Sequence, residues 1–159
     1  MEFAVAIAGF SGITMAIQFR SGTIDEIASF RNKNLIAFSL SAAFGSTFPR
    51  AIAHLGADGS EIWAWSSTLL SIVCGLLVFL AYAGRIKMTV EDRSRLSLVT
   101  WRFAIGGTTV AFAFQLANAA AYLGQPGPAP LYIGIIWLIV VAATMYYRLL
   151  FDMSQASDA

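Results

Sequence analysis

The hydrophobic positions of this chain form long runs that contain almost no charged residue. Five such runs lie at 3–19, 34–49, 62–84, 103–123 and 131–147. An α-helix rises about 1.5 Å per residue, so about 20 apolar residues cross a hydrocarbon core of about 30 Å. The pattern therefore predicts an all-α integral membrane bundle of five transmembrane helices.

We expect one transmembrane domain over residues 1–151 and a short polar tail over residues 152–159. With their flanking residues, the five predicted spans cover about 3–19, 34–54, 62–84, 102–123 and 131–150. The second span has two interpretations, because Arg50 follows soon after the polar residue Asn34. The segment could cross the membrane, or it could form a re-entrant hairpin that returns to its own side.

The distribution of basic residues distinguishes these two arrangements. Cytoplasmic loops of membrane proteins are enriched in Lys and Arg. With five spans, nine of the ten basic residues share one side, and Arg50 alone lies on the other; a re-entrant second segment removes this bias. The nine are Arg20, Arg31, Lys33, Arg85, Lys87, Arg93, Arg95, Arg102 and Arg148. The sequence thus predicts five spans, with the N-terminus outside and the C-terminus in the cytoplasm.

Two segments between the runs have the pattern of a helix start. Residues 23–26 read Thr-Ile-Asp-Glu and residues 89–92 read Thr-Val-Glu-Asp. In such capping boxes the hydroxyl and the acid each bond a free backbone N–H of the first turn. The first box predicts a short interfacial helix that carries Ile24, Ile27 and Ala28 on one face. The second predicts a helix that continues into the fourth span.

Small residues indicate how the spans pack. Ala4, Ala8, Gly12 and Ala16 recur at every fourth position of the first span, and such stripes let helices approach closely in lipid. We expect this stripe to be buried against another helix. The fifth span consists mostly of bulky residues, which favours an orientation toward lipid or a partner.

The composition agrees with a membrane protein and excludes several other classes. Of the 159 residues, 58% are hydrophobic and 12% are charged, about half the charged fraction of a typical soluble domain. The net charge of +1 carries no information about partners, but the chain has no basic stripe of the kind that nucleic acid needs, so we expect no nucleic-acid partner. A single cysteine, Cys74, and a single histidine, His54, supply no metal or haem ligand set, so we expect no cofactor and no metal.

One short motif of the predicted first span matches an enzyme signature. Residues 9–12 read Gly-Phe-Ser-Gly, which matches the motif of rhomboid-type intramembrane serine proteases. The serine of such an enzyme needs a histidine within hydrogen-bond reach, whereas His54 lies beyond the outer end of the second predicted span. The predicted spans also contain no acidic residue that could serve a proton relay. We therefore expect no enzymatic activity.

A set of polar side chains lies in the predicted outer half of the membrane. Gln115 and Asn118 share a face of the fourth span with Thr108 and Tyr122, and amides in hydrocarbon require hydrogen-bond partners. Two interpretations remain open. The set could join helices through hydrogen bonds, or it could line an outward-facing cavity that binds a solute or lipid headgroup. The candidate ligand-binding residues are Arg50, as the anion anchor, with Gln115, Asn118, Ser67 and Ser71.

The stretches "AGFSGI", Pro-Arg at the end of the second span and "QLANAAAYLGQPGPAPLYIGIIWL" resemble those of small bacterial multi-pass membrane proteins. This resemblance implies a location in the bacterial inner membrane, and it supplies neither an activity nor functional residues. We expect a non-enzymatic accessory or structural subunit that acts through helix–helix contacts. Its expected partners are membrane lipid and either another membrane protein or a second copy. The alternative is a transporter or binding protein for small solutes or lipid headgroups.

Overall fold

The computed structural model describes residues 26–157, together with the single residue Gly9. Within these residues the chain is helical and contains no β-strand. The helices are α1 (Glu26–Gly45), α2 (Phe48–His54), α3 (Ser60–Lys87), α4 (Val90–Arg95), α5 (Leu98–Ala119) and α6 (Pro128–Ser157). Apart from Gly9, the predicted first span at 3–19 lies outside the described residues, and so does its stripe of Ala4, Ala8, Gly12 and Ala16.

The helix of the predicted second span begins earlier than its apolar run. Ile27 and Ala28 belong to α1 itself, so the prediction of a separate interfacial helix at this point is wrong. A buried stripe that includes Ile27, Leu35 and Phe38 continues along the helix past the charged residues. Arg31 and Lys33 lie just before the apolar run at 34–49 and set its N-terminal limit, but neither residue breaks a helix.

A local irregularity separates α1 from α2. Proline has no backbone N–H, so Pro49 cannot donate the helical bond to the carbonyl of Gly45. The N–H of Thr47 instead donates to the carbonyl of Phe44 at 2.9 Å, and the helical pattern resumes where Ala51 donates to Thr47 at 3.0 Å. The two helices together form one apolar segment of 28 residues, Ile27–His54.

The predicted helix start at 89–92 is confirmed as the start of α4, but only half of the capping box forms, because the Asp92 carboxylate accepts from the Thr89 hydroxyl and not from its backbone N–H. The hydroxyl oxygen of Thr89 accepts from the N–H of Asp92 at 3.2 Å. Leu96 and Ser97 then adopt extended backbone angles, and Ser97 caps a new helix, α5, by accepting from the N–H of Thr100. The prediction that this helix continues directly into the fourth span is therefore wrong.

Four long helices, α1, α3, α5 and α6, pack into a bundle in which successive helices run in opposite directions. α3 lies along α5, α1 lies along α6, and α5 also packs on α6. The core contains fully buried apolar side chains from three of these helices: Leu35, Phe38, Leu70, Cys74, Leu131 and Leu138. The burial of Leu131 and Leu138 shows that α6 is a core helix, in contrast to its expected orientation toward lipid or a partner.

Three segments of the described chain are long and apolar enough to cross a membrane: Ile27–His54, Ser60–Lys87 and Pro128–Leu150. α5 has 22 residues, or about 33 Å of helix, but it is more polar because it carries Arg102, Gln115 and Asn118. The structure thus confirms a helical bundle suited to a membrane. The five-span count and the orientation stay predictions.

Candidate functional site

A cluster of buried polar side chains lies at the end of the bundle opposite the α3–α4 and α4–α5 connections. α5 ends there at Ala119, and its last turn carries Gln115 and Asn118. The C-terminus has a Schellman motif, in which Ala121 donates to the Asn118 carbonyl and Tyr122 to the Ala117 carbonyl. This motif turns the chain back toward the start of α6, beside the first turns of α3.

Asn118 connects three parts of the chain. Its Nδ2 donates to Ser67 Oγ on α3 at 2.8 Å and to the Gly127 carbonyl at 3.2 Å, while its Oδ1 accepts from the Gly127 N–H at 3.2 Å. The side chain therefore pairs with both backbone groups of Gly127 in the α5–α6 turn and simultaneously joins α5 to α3. Asn118 is only 2% exposed, so these bonds replace those that water would otherwise supply.

Gln115 joins α5 to the first turn of α6. Its Nε2 donates to the carbonyl of Pro130 at 2.6 Å. This approach depends on Gly134, because a Cβ at that position would lie 2.5 Å from Gln115 Nε2 and 3.0 Å from a methyl carbon of Leu70. The other amide atom, Oε1, is buried and has no hydrogen-bond partner among the described residues.

A third bond between helices lies closer to the middle of the bundle. Trp137 Nε1 on α6 donates to Thr108 Oγ1 on α5 at 3.2 Å. Gly107 makes room for the indole ring, since a Cβ there would lie 1.8 Å from its nearest ring carbon. Together with the bonds of Gln115 and Asn118, this bond holds α5 against α3 and α6.

The structure brings some of the predicted site residues together and separates others. Asn118 contacts Ser67, whereas Ser71 is buried and donates to the Thr68 carbonyl of its own helix at 2.7 Å. Arg50 is exposed on α2, and no hydrogen bond joins it to the other four residues in the part of the chain that the structure describes. The role of these five residues in ligand binding stays a prediction.

Tyr122 does not share the face of Gln115 and Asn118 as predicted. α5 ends before it, and the side chain is 86% exposed. The hydrogen-bond partners of Gln115 and Asn118 that the sequence did not predict are the backbone groups of Pro130 and Gly127. Their only signal in the sequence is the concentration of proline and glycine in the turn that follows Asn118.

The described residues contain no group of three or more His, Cys, Asp and Glu side chains placed to hold a metal ion. No protein-family model matches the chain, and no curated protein or solved structure is similar enough to match it. The arrangement of the buried amides is therefore the main structural guide to function.

Proposed function

We propose that this chain is a non-enzymatic accessory or structural membrane subunit that acts through helix–helix contacts. The observation that carries the proposal is the engagement of the buried amides between helices. Asn118 bonds to Ser67 and Gly127, and Gln115 bonds to Pro130. The amide nitrogens committed to these bonds join the helices and the α5–α6 turn, which supports a structural role for both side chains.

One exposed face of α5 suits a contact with a further helix. Gly106, Val110 and Ala113 are exposed along this face, and a Cβ at Gly106 would meet no described atom within 4 Å. Small residues allow the close backbone approach on which helix association in lipid depends. The partner would be a helix of another membrane protein or of a second copy.

We further propose the finer topology of five spans in a bacterial inner membrane, with the C-terminus in the cytoplasm. α5 is long enough to cross, lies along α3, and turns Gln115 and Asn118 into the bundle. Eight of the nine basic residues at positions 26–157 lie toward one end of the bundle, and Arg50 lies toward the other. This asymmetry favours a cytoplasmic location for the basic end.

Cross-linking in the native membrane tests the accessory role. A photoreactive residue at Val110 is expected to form an adduct with a protein neighbour, whereas one at Ile136, an exposed residue of α6, serves as a control for lipid contact. Gly106→Leu should abolish the Val110 adduct without unfolding the bundle, while Ala53→Leu, which enlarges an exposed residue of α2, should preserve it. Adducts with lipid alone at Val110 would contradict the proposal.

One atom favours the second candidate function, the binding of a small solute at the amide cluster. Gln115 Oε1 is buried without a partner and could accept a hydrogen bond from a ligand. A ligand that binds the native fold must stabilise it, so the test is thermal stabilisation by small anions and lipid headgroups. The accessory role predicts no stabilisation that depends on Arg50; a shift lost in Arg50→Ala would support the binding function instead.

A further inference from the structure

A cavity of about 50 Å³ lies at the other end of the bundle, among the ends of α1, α3, α5 and α6. Its walls are mostly apolar and include Phe38, Ala81, Ala104, Ile105 and Met145. Small-molecule sites usually have volumes of about 300–1,000 Å³, so this cavity holds only part of a ligand. The remainder of that ligand would lie outside, along the bundle.

The polar groups that line the same cavity are rich in hydrogen-bond donors. The polar lining residues are Arg31, Asn34, Ser97, Thr100, Trp101 and Arg148, and no acidic residue lines the cavity. The Asn34 amide already donates to the Phe30 carbonyl and the Thr100 hydroxyl to Ser97, so Arg148 and the Trp101 N–H are the donors left for a ligand. Arg148 is half-buried and forms no ion pair with any described residue. The electrostatics of this lining therefore favour an anion.

Trp101 supplies a second and independent observation. Its Nε1 is buried and, among the described residues, has no hydrogen-bond acceptor. The ring is held in place by the guanidinium of Arg85, 4.2 Å from the ring centroid, and by an edge contact with Tyr82 at 4.8 Å. A buried donor without a partner destabilises the fold, and an acceptor atom of a ligand would relieve that cost.

The surroundings identify the class of ligand. The cavity lies at the basic end of the bundle, where exposed Lys87, Arg95 and Arg102 raise the local positive potential. Basic pockets between membrane helices on the cytoplasmic side are suited to anionic headgroups. The cavity combines apolar walls with basic side chains, and a ligand that carries a phosphate group on hydrocarbon chains fits both.

We propose that this cavity binds an anionic phospholipid. The phosphate is held by Arg148 and accepts from the Trp101 N–H, while the chains continue along the apolar surface of the bundle. The site is distinct from the amide cluster and does not depend on the accessory role. Lipid binding at this site would anchor the basic end of the bundle to the anionic lipids of the adjacent membrane leaflet.

Thermal unfolding of the purified full-length protein in a zwitterionic detergent tests this proposal. Added phosphatidylglycerol should raise Tm by several degrees, whereas phosphatidylcholine and inorganic phosphate should give little increase. Arg148→Gln should remove most of the phosphatidylglycerol increment, and Arg148→Lys should retain part of it because the charge remains. Arg102→Gln is the matched control, because Arg102 is exposed at the same end and does not line the cavity.

A second variant separates ligand binding from any loss of folding. Trp101→Phe removes the N–H but keeps an aromatic ring, and each variant's increment is measured from its own lipid-free Tm. A reduced increment in Trp101→Phe supports the proposal, and an unchanged increment contradicts it. Equal losses in Arg148→Gln and Arg102→Gln would indicate diffuse attraction and overturn the site. An equal increment with inorganic phosphate would overturn the assignment to a lipid.

Discussion

Replacement of Asn118 by alanine should destabilise the bundle more than any other loss of a single polar side chain. The variant loses one bond to Ser67 and two to the backbone N–H and C=O of Gly127. Interhelical hydrogen bonds in membranes contribute about 0.6 kcal/mol on average and at most about 1.7 kcal/mol. A buried N–H left without a partner costs about 1–3 kcal/mol. We therefore expect a loss of about 2–4 kcal/mol in the free energy of unfolding.

A double-mutant cycle isolates the contact between α5 and α3. The free energies of unfolding of the wild type, Asn118→Ala, Ser67→Ala and the double variant are measured by denaturant titration in mixed micelles. We expect a coupling energy of about 0.5–1.7 kcal/mol, since the void left by each truncation cancels in the cycle. Thr144→Ala is the control, because the Thr144 hydroxyl bonds only within its own helix, to the Val140 carbonyl. Additive effects of Asn118 and Ser67 would refute the assignment of this contact.

Two further substitutions test the packing. Gly107→Ala should lower the free energy of unfolding by about 1–3 kcal/mol, because its Cβ would collide with Trp137, whereas Gly106→Ala, with open space at the Cβ, should leave it nearly unchanged. Equal effects of the two, measured by the same titration, would contradict the orientation of α5. Asn32 is 1% exposed and neither of its amide atoms has a partner among the described residues, so Asn32→Leu should raise stability by about 1–3 kcal/mol. A destabilised Asn32→Leu protein would contradict the interpretation of this amide as unpartnered.

The apolar runs predicted the helix boundaries well where the charged or proline-rich segment beside a run also ends the helix. The run at 62–84 corresponds to α3, Ser60–Lys87, and the run beginning at residue 131 corresponds to α6, which starts at Pro128. The start of α1 at Glu26 was not predictable from hydropathy. Arg31 and Lys33 interrupt the apolar run, but their backbone continues as helix, because charge ends a membrane span without ending helical hydrogen bonding.

The amide cluster was only partly predictable from the sequence. The burial of Gln115 and Asn118 followed from the cost of unpaired amides in an apolar environment, and Ser67 was a candidate partner because of its predicted depth. The carbonyl of Pro130 and the backbone N–H and C=O of Gly127 could not be identified as partners, because backbone groups have no side-chain pattern. The hydrogen bond from Trp137 to Thr108 was not predictable, because the fifth span consists mostly of bulky residues and no pattern singles out this tryptophan. The position of Gly107 beside the indole ring explains the contact only in three dimensions.

The topology of the bundle in the membrane is the central claim, and alkaline phosphatase fusions test it most directly. This reporter is active only outside the cytoplasm. Fusions after residues 58 and 125 are expected to be active, and fusions after residues 28, 90 and 157 are expected to be inactive, because α5 and α6 then both cross. Activity at 157, or inactivity at 125, would contradict the five-span arrangement.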